Sequence, residues 1–286
     1  MCSSDLFREG MRERGYVEGK TYALEIRNAE AQRERLPALA ADLIRLNVDV
    51  MVATSSDGTD AAIKATKTIP VVFGASADPV ARGLVQSLAR PGGNVTGTSY
   101  QYSDFAAKQV ELLKMIVPKL SRAALVRVQT GSSPAPFLEP MISAARKMGI
   151  TIKDQPLADA DAETIEAMFE TMRRDGIQGF ILAPHPLLGS RFATLAALTL
   201  KYRIPSLVPY PEVTRNGGLM SFFPSVQESH KRMAYYVDRI LKGAKPADLP
   251  VEQPTKFHMA VNTKTARLLG LSVPREILVR AEEVIE

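Results

Sequence analysis

The chain has 286 residues, 45% of them apolar and 23% charged, and carries a formal net charge of +5. That is enough for two domains of roughly 140 residues with filled cores, which excludes a disordered tail or a low-complexity scaffold. A single cysteine, Cys2, excludes a disulfide framework or thiolate zinc site, no run approaches the ~20 apolar residues of a membrane span, and the 36 basic and 31 acidic side chains are too intermixed for a nucleic-acid face.

Leu6, Phe7 and Met11 sit at helical spacing, so the sequence opens in an amphipathic helix that ends near Gly15. The opening MCSSDLFREG has neither the basic start nor the apolar stretch of a secretory signal. No strand precedes the helix, so the first strand of an α/β lobe is expected to be missing. Residues 22–26 read as a strand, 33–46 as a helix with Leu36, Leu39, Leu43 and Leu46 on one face, and 48–53 as a buried strand. A helix over 57–66, a strand over 69–73, a short helix over 83–89 and a strand over 95–99 follow, the last after a turn at 90–94.

The alternation then restarts. Helix 105–117, stopped by Pro118, leads to strand 123–128, helix 135–148 closed by Gly149, and strand 150–153. Next come helix 162–175, strand 179–183, helix 191–202 and strands 206–208 and 218–222. Helix 226–242 carries the apolar stripe Met233, Tyr236, Val237, Ile240 and Leu241, and the tail adds a strand around 257–261 and two short helices. Alternation at this spacing builds right-handed βαβ units on parallel sheets. The expected fold class is α/β with two doubly wound parallel-sheet lobes. One comprises 1–101 with about 225–248, the other 102–224 with about 249–286.

Ligands of open parallel sheets lie outside the carboxyl ends of the strands, where loops enter helix N-termini. Thr54, Ser55, Ser56 and Asp57 follow the strand at 48–53, and Gly74, Ala75, Ser76, Ala77 and Asp78 follow the strand at 69–73. Hydroxyls and unpaired first-turn amides suit an anionic group on a ligand, while Ser and Asp at a helix start are equally ordinary caps. In the second lobe Gln129, Thr130, Gly131, Ser132 and Ser133 follow one strand, and Pro184, His185 and Pro186 another. Tyr210 and Glu212 follow a third, and Ser221 lies at the end of the last. Tyr210 and Phe222 offer apolar faces and Glu212 a partner for an ammonium, with core packing and surface charge as competing roles.

Catalytic signals are absent: there is no GxSxG, no Walker lysine and no GxGxxG. His185, His230 and His258 suit no helical metal pair, and His230 reads as solvated or capping. No enzymatic activity, cofactor or metal is expected.

Six segments carry a resemblance in order and spacing: RLPALAADL at 35–43, IPVVF at 69–73, DPV at 78–80, RPGGNVTG at 90–97, GGLMS at 217–221 and ILKGAKPADLPV at 240–251. Together they resemble the ABC transporter substrate-binding protein family that includes bacterial tryptophan and tyrosine uptake proteins. The resemblance implies a type I periplasmic-binding-protein fold, two lobes joined by a hinge with a ligand closed in the cleft between them. It implies a monomeric, non-enzymatic importer component, periplasmic or extracytoplasmic in its full-length form, that serves an ABC permease and ATPase and takes a small organic ligand, an aromatic amino acid favoured. Members begin with an export signal and a first strand that this chain is expected to lack. Read onto fold positions, the expected ligand contacts are Thr54, Ser55, Ser56, Ser76 and Asp78 in the first lobe, and Gln129, Pro184, His185, Tyr210, Glu212 and Ser221 in the second. The competing reading is a ligand-sensing module of the same fold from a transcription regulator or signalling receptor.

Overall fold

A computed structural model describes residues 3–30, 32–100, 102–129, 135–185, 188 and 191–286. In chain order the first elements are α1 (Ser3–Arg12), α2 (Leu36–Arg45, entered through a 3-10 turn at Arg33–Arg35), β1 (Met51–Ala53), α3 (Ser56–Ala65), β2 (Val71–Ala77) and β3 (Val95–Tyr100). Then come α4 (Tyr102–Ile116), β4 (Arg122–Val128), α5 (Ala135–Lys147), β5 (Thr151–Leu157), α6 (Ala162–Arg174), β6 (Phe180–Leu182), α7 (Phe192–Tyr202), β7 (Ser206–Val208), α8 (Pro211–Arg215) and β8 (Met220–Pro224). The chain closes with α9 (Val226–Leu241), β9 (Phe257–Asn262), α10 (Thr263–Leu269), α11 (Arg275–Arg280) and β10 (Glu283–Ile285).

Two compact units result. Unit 1 is Met1–Gln101 with Pro224–Lys256, and unit 2 is Tyr102–Phe223 with Phe257–Glu286. The returning segment of unit 1 reaches Lys256 because its backbone is stitched into that unit. Val251 N–H donates to Leu88 C=O at 2.7 Å, Glu252 N–H to Gly97 C=O at 3.0 Å, and Ser99 N–H to Glu252 C=O at 2.8 Å.

Unit 1 holds a parallel sheet in the order β1-β2-β3. One set of buried side chains, Phe7, Met11, Val72, Met233, Ala234 and Tyr236 among them, joins α1 and α9 to the sheet. A second, with Ala40, Met51, Ala62, Val71, Phe73 and Val95, joins it to α2 and α3. Each large apolar side chain so buried contributes about 1.5–3 kcal/mol. Helix α1 lies close on α9 because residue 10 is glycine, where a Cβ would stand 2.8 Å from that of Ala234. Lys231 Nζ clamps the pair, donating to Glu9 at 2.9 Å and Glu13 at 2.6 Å.

Unit 2 holds a seven-stranded sheet in the order β10-β9-β8-β7-β6-β4-β5. The pairs β4–β5, β4–β6, β6–β7, β7–β8 and β9–β10 are parallel. Strand β6 is apolar throughout, as a strand covered on both faces tends to be; its Phe180, Ile181 and Leu182 are fully buried.

Three local readings change. Residues 22–26 form no strand; Tyr22 makes an isolated bridge with Glu18, and Tyr22 and Leu24 pack on the α1–α9 cluster. Alternation alone makes no strand without a ladder partner, and none is present among the described residues. Residues 83–89 are not helical: the chain turns over 79–83, and Gly83 adopts φ +68°, the left-handed conformation that ends helices. Strand β2 runs on to Ala77, so Ser76 belongs to a strand and not to a loop. It does so through a bulge between Phe73 and Ser76 opposite β3. The tail also forms β10, parallel to β9, after its two helices.

Candidate ligand-binding site

In unit 1 the carboxyl ends of β1 and β2 carry the polar loops. Thr54 is exposed. Ser55 caps α3, its Oγ accepting from Gly58 N–H at 3.1 Å, and Ser56 opens the helix behind it. Ser76 is fully buried, and its Oγ accepts from Arg82 Nη1 at 3.1 Å. The other terminal nitrogen of Arg82 pairs with Asp60 of α3. Asp78 follows β2 at φ +35°, a conformation Asp tolerates better than most side chains, and its carbonyl accepts from Arg82 N–H at 3.1 Å. Arg82 therefore joins the helix after β1 to the end of β2. The sequence reading did not single it out; its visible mark was a cation within a strand-end loop.

In unit 2 the ends of β4, β6 and β7 lie along one edge of the parallel sheet. Gln129, exposed after β4, donates its backbone N–H to Leu157 C=O at 2.9 Å. Thr130, Gly131, Ser132, Ser133 and Pro186 lie outside the described residues. After β6 come Pro184 and His185, both half-buried. Tyr210, at the start of α8, turns its hydroxyl onto the His185 backbone and tilts its ring against Phe192 with centroids 5.2 Å apart. Removal from water pushes the Tyr210 phenol up to about 12, because burial penalises the phenolate. Glu212 is exposed, 4.0 Å from Arg215 in the next helical turn.

Ser221 is fully buried in β8 opposite Val208, and its Oγ has no hydrogen-bond partner among the described residues. Phe222 is a core side chain, stacked with Phe105 at 5.6 Å and Phe257 at 5.2 Å. The histidines stay dispersed. His185 lies after β6, and His230 is buried on α9 and not solvated. His258 Nδ1 stands 2.7 Å from Glu282 Oε2. Among the described residues no three His, Cys, Asp or Glu side chains gather as a metal site, and no helix is long and apolar enough to cross a membrane.

Two α/β units on parallel sheets, joined by a chain that passes between them more than once and bearing donor-rich loops at their strand ends, define a solute-binding protein of the periplasmic-binding-protein class. The model of the family described as "ABC transporter substrate binding protein" matches residues 3–285, and the chain belongs to that family, which is not a family of enzymes. It is 23% identical over 265 residues to a tyrosine-binding protein of Clostridioides difficile strain R20291, across 93% of this chain and 75% of that relative. It superposes with a TM-score of 0.86 and 25% identity on an ABC domain from Streptococcus pneumonia in complex with L-Trp, covering 99% of this chain and 95% of that one. A conserved domain protein from Vibrio cholerae shares the fold at TM-score 0.87 and 24% identity, with the same coverage.

Proposed function

We propose that this chain is the solute-binding component of an ABC importer and that its ligand is an amino acid with an aromatic side chain. The observation that carries this reading is the likeness, over 99% of the chain, to a structure holding L-Trp. The strand-end chemistry agrees. In unit 1, Thr54, Ser56, Ser76 and Asp78 offer hydroxyls, amides and a carboxylate, with Ser55 holding the helix start. In unit 2, Gln129, Pro184, His185 and Ser221 are the proposed contacts, Glu212 is a candidate for a ligand ammonium, and Tyr210 holds the His185 loop. A buried hydroxyl without a partner among the described residues, such as that of Ser221, is the kind of group a ligand atom satisfies. Under this reading the protein works outside the cytoplasm as a monomer and hands its ligand to a permease driven by an ATPase.

Thermal unfolding with L-tryptophan, L-tyrosine and L-leucine, followed by calorimetry, tests the reading. An aromatic amino acid with a Kd of about 1 μM should raise the melting temperature in proportion to the logarithm of its excess over Kd. A flat response to all three, or turnover of any of them, would sink it.

A further inference from the structure

We propose that Arg82 is a specificity-determining residue of unit 1, the cation that selects a ligand bearing a carboxylate; this rests on the aromatic amino-acid reading above. Arg82 sits six residues after Ser76, on the loop leaving the carboxyl end of β2, where open parallel sheets take their ligands. Its guanidinium is anchored to side chains of β2 and α3. Ser76 Oγ accepts from Nη1 at 3.1 Å, and the Asp60 carboxylate of α3 pairs with Nη2. Its backbone is held as well, with N–H donating to Asp78 C=O at 3.1 Å.

A guanidinium has five donors in a rigid planar fork. Anchoring contacts such as these set the plane of that fork before any ligand arrives, so the side-chain entropy usually lost on binding is already spent. The side chain is 23% exposed, so solvent reaches part of it, while the charge sits where water screens it less than at an open surface. Asp60 brings one negative charge, so the pair is electrically balanced. A zwitterionic amino acid, itself neutral, meets the pair without a build-up of net charge, whereas a dianion does not.

Calorimetry with L-tryptophan and L-tryptophanamide separates charge recognition from simple support of the loop, because the amide keeps the indole and ammonium and loses the carboxylate. Wild type should prefer the acid by about 10-fold or more, the range of a charge-assisted hydrogen bond. Arg82→Met should weaken the acid by about 10- to 100-fold and the amide by less than about 3-fold. Arg82→Lys, the milder change if Arg82→Met does not fold, should weaken the acid selectively but less. Equal losses for acid and amide, or no loss for either, would overturn the assignment of Arg82. Failure of wild type to bind L-tryptophan would instead overturn the ligand reading, and this inference with it.

Discussion

The Tyr210 hydroxyl closes a two-way clasp on one residue: it accepts from His185 N–H at 2.6 Å and donates to His185 C=O at 2.9 Å. The loops after β6 and β7 are thereby locked together without any secondary-structure ladder. Tyr210→Phe keeps the ring against Phe192 and removes only the clasp, taking the hydroxyl from the His185 N–H while the His185 C=O still accepts from Leu188 N–H at 3.1 Å. The expected loss is about 1–3 kcal/mol, read from a denaturant midpoint at unchanged slope. A variant as stable as wild type would show that the clasp contributes nothing.

The same hydroxyl sets an alkaline limit. The phenol is raised from 10.0 to about 12 by burial, so between those values the folded chain holds a proton that the unfolded chain has released. The folded state then binds more protons, and stability must fall as pH rises through that window, by about 3 kcal/mol in all. Tyr236, raised by burial as well, contributes in the same direction. The stability gap between wild type and Tyr210→Phe should therefore narrow from pH 10 to 12. A gap constant across that range would contradict the assignment.

Ser221 offers a test in which stability and binding move apart. Its hydroxyl is buried with no partner among the described residues, a situation that costs the folded state about 1–2 kcal/mol. Ser221→Ala should leave stability unchanged or raise it by up to about 1 kcal/mol. If the residue is a ligand contact, the same variant should bind L-tryptophan more weakly in calorimetry. Lower stability with unchanged affinity would remove Ser221 from the site.

Much of the architecture was legible because it rests on local pattern. Apolar runs such as 123–128 and 179–183 and stripes such as that of α9 need no knowledge of the rest of the chain. What local pattern does not carry is pairing. Residues 22–26 alternate like a strand but have no ladder partner among the described residues, while Gly74, Ala75, Ser76 and Ala77 have weak strand propensity and become strand because β3 lies alongside. The site shows the same division. Polar strand-end loops could be located from order alone, but Arg82 gains its meaning from Asp60, twenty-two positions away. Tyr210 was read for its ring, whereas its hydroxyl is the part that joins two loops. Phe222 looked available to a ligand only until Phe105 and Phe257 were seen to cover it.

That last placement predicts which property a Phe222 substitution changes. Removing a ring stacked at 5.6 and 5.2 Å against Phe105 and Phe257 should cost about 3–5 kcal/mol in Phe222→Ala, through lost burial and the cavity left behind. Phe222→Leu, which refills most of the space, should cost about 1–2 kcal/mol and leave the calorimetric Kd for L-tryptophan unchanged. A Kd that rises in the leucine variant while its melting temperature holds would return Phe222 to the ligand site.

Two glycines of unit 1 should respond differently to the same methyl group. At Gly97, φ is +148° and a Cβ would fall 2.0 Å from the carbonyl oxygen of Phe73 and 2.7 Å from its nitrogen, both backbone atoms of the paired strand. Neither can move without breaking the β2–β3 ladder at its bulge. Gly97→Ala should therefore cost at least about 3 kcal/mol or prevent folding of the unit. At Gly74 a Cβ would stand 2.5 Å from Met233 Sδ, the far end of a flexible side chain. Met233 can swing aside within the core, so Gly74→Ala should cost about 1–2 kcal/mol. Adding Met233→Ala to Gly74→Ala should give a double variant less destabilised than the sum of the two, since the new methyl occupies vacated space. Equal costs at the two glycines in urea unfolding, or strict additivity in the double variant, would show that these close approaches do not govern the packing of β2.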